Sequence, residues 1–286
     1  TCQEDRSESS VASSMAHEFT PQTKLSVIVP TYDEVDNIQP LVERLFKATK
    51  EAGLLVELII VDDESKGTPK TEAIVKRLVE EEGYAVRLHV RRRGCGERGL
   101  SSAVLLGFEM AKYPAVLCMD ADLQHEPEAV PSVAAPVLNG QADFAVGSRN
   151  VDGGQVAGWS VHRKVISAGA TLLALPLTRC SDPMSGFFAL PKSVLTRGKG
   201  RCNAMGFKIG LELMVMCEAQ QVVDVPIVFR DRVAGESKLS MKQNVLFLRQ
   251  LIGLYWFVCC LLGIAHIELP SLFPLSLNVP IGSLLW

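Results

Sequence analysis

The stretch Met119-Asp-Ala-Asp-Leu-Gln-His-Glu-Pro127 places Asp120 and Asp122 two residues apart, directly after the apolar run 115–118. A strand that continues into a core rarely carries such a pair. Side chains two apart at a strand end project to the same side, so both carboxylates can reach one hard cation through oxygen, and Gln124 offers a third oxygen. A plainer role competes: "QHEPEAV" opens a helix, and acids near a helix N-terminus often serve only as caps. Two further acidic segments, "PTYDE" (30–34) and "DDES" (62–65), also follow apolar strands and favour the metal. In "PTYDEVDN", Tyr32 supplies an aromatic face, Glu34 a carboxylate acceptor and Pro30 a rigid turn, which suits a nucleobase and its ribose. Capping by Asp36 would account for Asp36 but not for Tyr32 beside Glu34. The Gly-rich, basic "RRRGCGERGLSSAV" (91–104) lacks the P-loop pattern and fits no dinucleotide fingerprint, so it reads equally as a surface turn or a phosphate loop.

Elements with alternating periodicities position these residues. "KLSVIVP" (24–30) is a short buried strand, and 36–53 carries Ile38, Leu41, Leu45 and Ala48 at helical spacing before Gly53. The unit recurs as strand 55–63 with helix 68–82, strand 85–90 with helix 100–112, and strand 115–122 with helix 128–138; strand 143–148 follows. This is the pattern of an α/β fold, a doubly wound, mainly parallel sheet flanked by helices, which binds ligands at the carboxyl ends of its strands. The second half predicts helix 160–174, a strand near 186–190, helix 206–219, strand 222–229 and a polar loop over 230–240.

With 286 residues and 48% hydrophobic content, the chain can build a sizeable core. Its charge is uneven: residues 1–144 carry 15 Lys/Arg against 24 Asp/Glu, whereas 145–250 carry 14 against 7, so the second half is suited to anions. Eight cysteines with neither CxxC nor zinc spacing point to a reducing, cytosol-facing compartment. Residues 1–22 are polar and Ser-rich and are expected to be disordered; residue 1 is Thr, so a segment can precede it. From Leu251 to Trp286 the only Asp, Glu, Lys, Arg or His side chains are His266 and Glu268, and the apolar run can be read as a buried helix, a membrane-surface helix, a span or a hairpin. The expected organisation is a disordered 1–22, a catalytic domain over 23–243 and an apolar membrane-associated segment over 244–286.

Together with "GSR" (147–149), "GWSVHRKVIS" (158–167), "SDPMSGFFAL" (181–190), "GFKIGLEL" (206–213) and "VPIVFRDRVAGESKLS" (225–240), these motifs resemble glycosyltransferase family 2 on a GT-A fold, over roughly 24–255. Departures are Glu64 where the family usually has Gly, Asp33 where it has Asn, and Ser101 where it often has Gly; they bear on loop details. The branch most similar to these motifs moves mannose from GDP-mannose to dolichyl phosphate, and the resemblance implies the same metal-dependent, inverting transfer here. It implies that Pro30, Tyr32, Glu34, Val61 and Asp63 hold the guanosine, that Asp120, Ala121, Asp122 and Gln124 hold Mg2+ or Mn2+ and the diphosphate, and that Arg149, Arg232 and Lys238 close over phosphates. It places the protein at the cytosolic face of the endoplasmic reticulum membrane, admits small membrane-anchoring subunits as partners and gives no reason to expect nucleic acid. Residue chemistry alone does not separate GDP-mannose from UDP-glucose.

No His or carboxylate outside the acidic cluster stands out as a base. A phosphate monoester, mostly dianionic at pH 7, needs none to attack a sugar. Arg163 and Ser167, four apart on a helix, can grip such a phosphate near Arg149, although Arg163 and Lys164 would equally suit an interface with anionic lipid. A receiver-type signalling domain fits poorly, because its acidic pair should follow the first strand and "DDES" follows the second. A processive polysaccharide synthase would need a QxxRW-type segment. A non-catalytic nucleotide-sugar binder would share every motif and is separated only by turnover.

Overall fold

The computed structural model describes residues 23–94, 98–156, 161–203, 207–230 and 241–263, apart from the side chains of residues 161–163, 241 and 242. In chain order the elements are β1 (Lys24–Thr31), α1 (Val35–Glu51), β2 (Leu55–Asp63), α2 (Thr68–Glu80), β3 (Val86–Arg91), α3 (Leu100–Met110), β4 (Ala115–Cys118), α4 (Val130–Leu138), β5 (Phe144–Ser148), β6 (Gln155–Val156), α5 (Val161–Ala174), β7 (Phe188–Pro191), α6 (Lys192–Gly198), α7 (Ile209–Met216), β8 (Val222–Pro226), β9 (Val228–Phe229) and α8 (Met241–Leu261). One sheet of seven strands, in the order β3-β2-β1-β4-β7-β5-β8, runs through the molecule, and β6 pairs with β9 beside it.

β1, β2, β3 and β4 are mutually parallel, and β5 runs parallel to β8. β7 lies antiparallel between β4 and β5 and joins the two parallel blocks. The mainly parallel α/β reading therefore holds. Parallel strands covered on both faces call for near-continuous apolar runs, and β2 supplies one with Val56 and Leu58 to Val61 almost wholly buried. Glu57 interrupts it, and its buried carboxylate accepts from Ser26 (2.6 Å) and the Lys112 N–H (2.6 Å) and pairs with Arg87 (2.8 Å). Alternation along β1 sends Ile28 to the core that contains Phe108, Phe144, Phe188 and α7, and Val27 and Val29 to the core beneath α1 and α4. α1 closes the latter with Ile38, Leu41, Val42 and Leu45, one stripe at helical spacing.

Three expected boundaries move. The strand expected over 115–122 stops at Cys118, because pairing with β1 ends there; Met119 N–H adds one bond to Ile28 O (3.1 Å), and the chain then turns with Leu123 at φ 59°. The carboxylates thus sit on a turn and not on a strand. The expected strand 222–229 divides at Pro226, which cannot donate a ladder bond, and its second part leaves the main sheet to pair with β6. The helix expected from 128 begins as a 3-10 turn, Pro127–Ala129.

α8 is two-faced. Phe247, Leu251, Leu254 and Phe257 are buried in the core with α7, whereas Val245, Leu248, Ile252 and Tyr255 form an exposed stripe. α5 lies alongside: the Tyr255 hydroxyl donates to Leu173 O (2.7 Å), and Val165, Ile166, Leu172 and Leu173 are also exposed.

Candidate active site

The ends of β1 and β2 make the first wall. Asp62, buried, accepts hydrogen bonds from Thr31 (2.9 Å) and Thr68 (2.6 Å), locking the end of β1 to the start of α2. Its neighbour Asp63 pairs with Arg91 of β3 at 2.6 Å and accepts from the Gly99 N–H (2.8 Å), which fixes the start of α3. Glu64 clips the basic loop by accepting from the Arg93 N–H (2.7 Å) and from Arg92 (3.2 Å), contacts that a Gly could not make. Tyr32 is 46% exposed beside the cleft, and Glu34 accepts from Asn37 (2.9 Å) at the start of α1. Asp36 lies in the first turn of α1, two residues inside the N-cap position that Glu34 occupies.

The turn after β4 makes the floor. Asp122 is buried and accepts the Gln124 N–H (3.2 Å), while Gln124 donates its side-chain amide to Arg230 O (3.0 Å) and accepts the Arg230 N–H at its main-chain carbonyl (3.0 Å). These bonds, with a bridge between His125 and Phe229, dock the turn onto the end of β9. Asp120 remains partly exposed beside Gly186: a Cβ on that glycine would lie 3.1 and 3.3 Å from the two Asp120 oxygens. Any larger residue here would press on the carboxylate and shift it by a few tenths of an ångström. His125 is buried between the rings of Phe187 and Phe229, each 5.1 Å away by centroid, and burial pushes its pKa down to about 4. It is neutral at physiological pH.

The far wall comes from β5 and the loop before β7. Arg149, over the Phe229 ring, grips the fully buried Asp182 through two side-chain bonds of 2.6 and 2.8 Å, and its N–H adds a third at 3.1 Å. Burial opposes the Asp182 charge, but the Arg149 bonds outweigh it and hold the carboxyl below its usual range. Behind them Lys208, half-buried at the start of α7, donates to Met184 O (2.6 Å).

Asp120 and Asp122, after β4, and Arg149, after β5, thus lie at one end of the sheet on either side of β7, with Pro30, Tyr32, Glu34 and Asp63 at the ends of β1 and β2. Val61 is fully buried in β2 and Ala121 nearly so, and neither presents a side chain to the cleft. Arg232 and Lys238, and the side chain of Arg163, lie outside the described residues; Ser167 is half-buried in α5. Asp182, Gly186 and Lys208 join the site without having been singled out from sequence. They stand in "SDPMSGFF" and "GFKIG", where an acid after Ser and a lone lysine between apolar residues were the only chemical signals.

Among the described residues no three His, Cys, Asp or Glu side chains converge to hold a metal. The donor set fits a hard divalent cation nonetheless: Asp120 and Asp122 offer carboxylate oxygens, Gly186 keeps space at Asp120, and Mg2+-type ions commonly take one or two carboxylates and complete their shell with substrate phosphate and water. The cleft can therefore take a nucleoside diphosphate along the β2–β1–β4 edge and a second anion beside Arg149.

The model of the "Glycosyl transferase family 2" family matches residues 26–198. The dolichol-phosphate mannosyltransferase of Mycosarcoma maydis is 45% identical over 240 residues, covering 81% of this chain and 79% of that protein. The enzyme of the same name from Saccharomyces cerevisiae is also 45% identical over 240 residues, covering 81% and 87%. Among solved structures, glucosyl-3-phosphoglycerate synthase from Mycobacterium tuberculosis, in complex with Mn2+, UDP and glucosyl-3-phosphoglycerate, superposes with a TM-score of 0.56 at 19% identity, over 85% of this chain and 81% of that one. That likeness bears on the fold.

Proposed function

Since the chain belongs to glycosyl transferase family 2, we propose that it transfers mannose from GDP-mannose to dolichyl phosphate, with inversion, giving dolichyl β-D-mannosyl phosphate and GDP. The observation that carries this reading is the 45% identity to two dolichol-phosphate mannosyltransferases over 240 residues, 81% of this chain. Tyr32 and Glu34 receive the base and ribose, with Asp63 holding the loop beneath them. Asp120 and Asp122 hold Mg2+ or Mn2+, which when bound neutralises charge on the leaving diphosphate.

The electrostatics favour a phosphate acceptor. Of the groups close to Arg149, Asp182 is locked in an ion pair that lowers its proton affinity, and His125 is buried with a pKa of about 4. Neither is tuned to remove a hydroxyl proton near neutral pH. A phosphate dianion brings its own charge and nucleophile, so the residues have only to bind and orient it. Arg149 sits where it can do so, and Arg163 and Ser167 of α5 extend the same role.

The exposed apolar stripes of α5 and α8 suit an acceptor that resides in a membrane. Residues 243–261 are long and apolar enough to cross one, but a helix with one face in the core serves equally as a surface anchor. We place this face on the cytosolic side of the endoplasmic reticulum, where small membrane-anchoring subunits could join it. Incubation of the full chain with labelled GDP-mannose, a short-chain dolichyl phosphate and Mg2+ tests the reading. Label should enter an organic-extractable, mild-acid-labile product; transfer from UDP-glucose instead would move the assignment to the corresponding glucosyltransferase.

A further inference from the structure

Lys208 has an unusual environment for a lysine. Its ammonium donates to Met184 O (2.6 Å) and lies 4.7 Å from the centroid of the Phe207 ring, but among the described residues it forms no ion pair. An ammonium has three donors, and among the described residues one of them is used, on Met184 O. The charges it senses are those of the cleft: Arg149, which disfavours its proton, and Asp120 and Asp182, which favour it, while burial, the largest influence, brings its pKa down to about 8. Asp182 already has its hydrogen-bonded ion-pair partner in Arg149, to which Lys208 adds a smaller, through-space attraction.

The main chain at this point is held firmly. Lys208 O accepts from the Glu212 N–H (3.2 Å) and from the Gln250 side chain (3.4 Å), and Gln250 also donates to Glu212 (2.9 Å), so α7 and α8 together fix the lysine. A cation kept half-buried beside a second cation, with spare donors and a rigid base, is arranged for an anion that arrives from outside.

We propose that Lys208 binds the phosphate of the acceptor, donating to a non-attacking oxygen and so positioning the nucleophile beside Arg149. The inference rests on the mannosyl-phosphate reading above. Both substrates carry phosphate, and topology selects between them. The nucleotide edge is formed by β2 and β1 and the carboxylate turn by β4, whereas Arg149 and the loop carrying Asp182 and Met184 belong to β5 and β7, further along the sheet. Inversion requires the incoming oxygen to approach opposite the leaving diphosphate, and the loop before β7, where Met184 O accepts from Lys208, lies on the side of β4 away from β1 and β2.

The test compares wild type, Lys208→Met and Lys208→Arg, full length and with Mg2+. A lost charge-assisted hydrogen bond should raise the KM for short-chain dolichyl phosphate roughly 10- to 100-fold in Lys208→Met. The Kd for GDP and the melting temperature should stay close to wild type, and Lys208→Arg should recover part of the acceptor KM. An unchanged acceptor KM in Lys208→Met, or a GDP affinity that falls by the same factor, would overturn the assignment. A measurement on wild type guards against a variant that does not fold: acylation of Lys208 by an amine-reactive ester, mapped by mass spectrometry, should be slowed by dolichyl phosphate and much less by GDP. Equal protection by both, or by neither, counts against the proposal. A wild-type protein that makes no mannosyl phosphate lipid would instead refute the parent reading.

Discussion

Replacing Gly186 by alanine separates the chemistry of the cleft from its stability. The added Cβ would stand 3.1 Å from one Asp120 oxygen and 3.3 Å from the other, a few tenths of an ångström inside ordinary contact. The backbone at Gly186 is not left-handed, so alanine brings no conformational strain; by restricting the unfolded chain it can add ~0.4–1 kcal/mol of stability. The neighbour that must yield is the end of a partly exposed carboxylate, which can rotate away at little cost. The expected variant is as stable as wild type or slightly more so, with Asp120 displaced by a fraction of an ångström. Since a displacement of ~1 Å can cost ~100-fold in rate, this shift should lower kcat/KM roughly tenfold, or about 1.4 kcal/mol of transition-state stabilisation. Mannosyl transfer measured against Mg2+ or Mn2+ concentration, with thermal melting in parallel, reads both quantities. Wild-type turnover with an unchanged metal midpoint would refute the view that Gly186 exists to make room for the Asp120 carboxylate, and a large loss of melting temperature would show that the glycine serves packing.

Asp122→Ala should abolish the metal-dependent rise in melting temperature on adding GDP while the unliganded protein melts nearly as wild type; a retained GDP and metal shift would remove Asp122 from the metal site. His125, with a folded pKa of about 4 against 6.5 for a free imidazole, leaves the unfolded state binding more protons between those values, so metal-free stability should fall as pH drops through that window. The loss attributable to this group is ~3 kcal/mol and should be missing from a folded His125→Leu variant, as read by urea unfolding at pH 7 and pH 4.5. Truncation after Gln250 removes Leu251, Leu254 and Phe257, all nearly fully buried, at ~1.5–3 kcal/mol each; the shortened chain should be strongly destabilised, and a soluble product with wild-type melting would show that this half of α8 is dispensable.

Local periodicity and motif spacing carried much of this protein. The βα units of the first half, the acidic residues at successive strand ends and the helix over 161–174 are legible because burial on both faces demands continuous apolar strands, and a helix must show one apolar stripe. Asp120 and Asp122 stood out because carboxylates next to a buried run are costly unless they have a task. What the sequence could not supply were relations between distant residues. That β7 inserts antiparallel between β4 and β5, that Asp182 lies under Arg149, that Gly186 faces Asp120 and that Lys208 comes in behind them depend on segments 33 to 88 residues apart meeting at one sheet edge. The same holds for α8, whose composition suggests a membrane segment whether or not one face is buried. Its packing on α7 was decided by the shape of the core it completes, and hydropathy, which sums over a helix without regard to direction, does not register that.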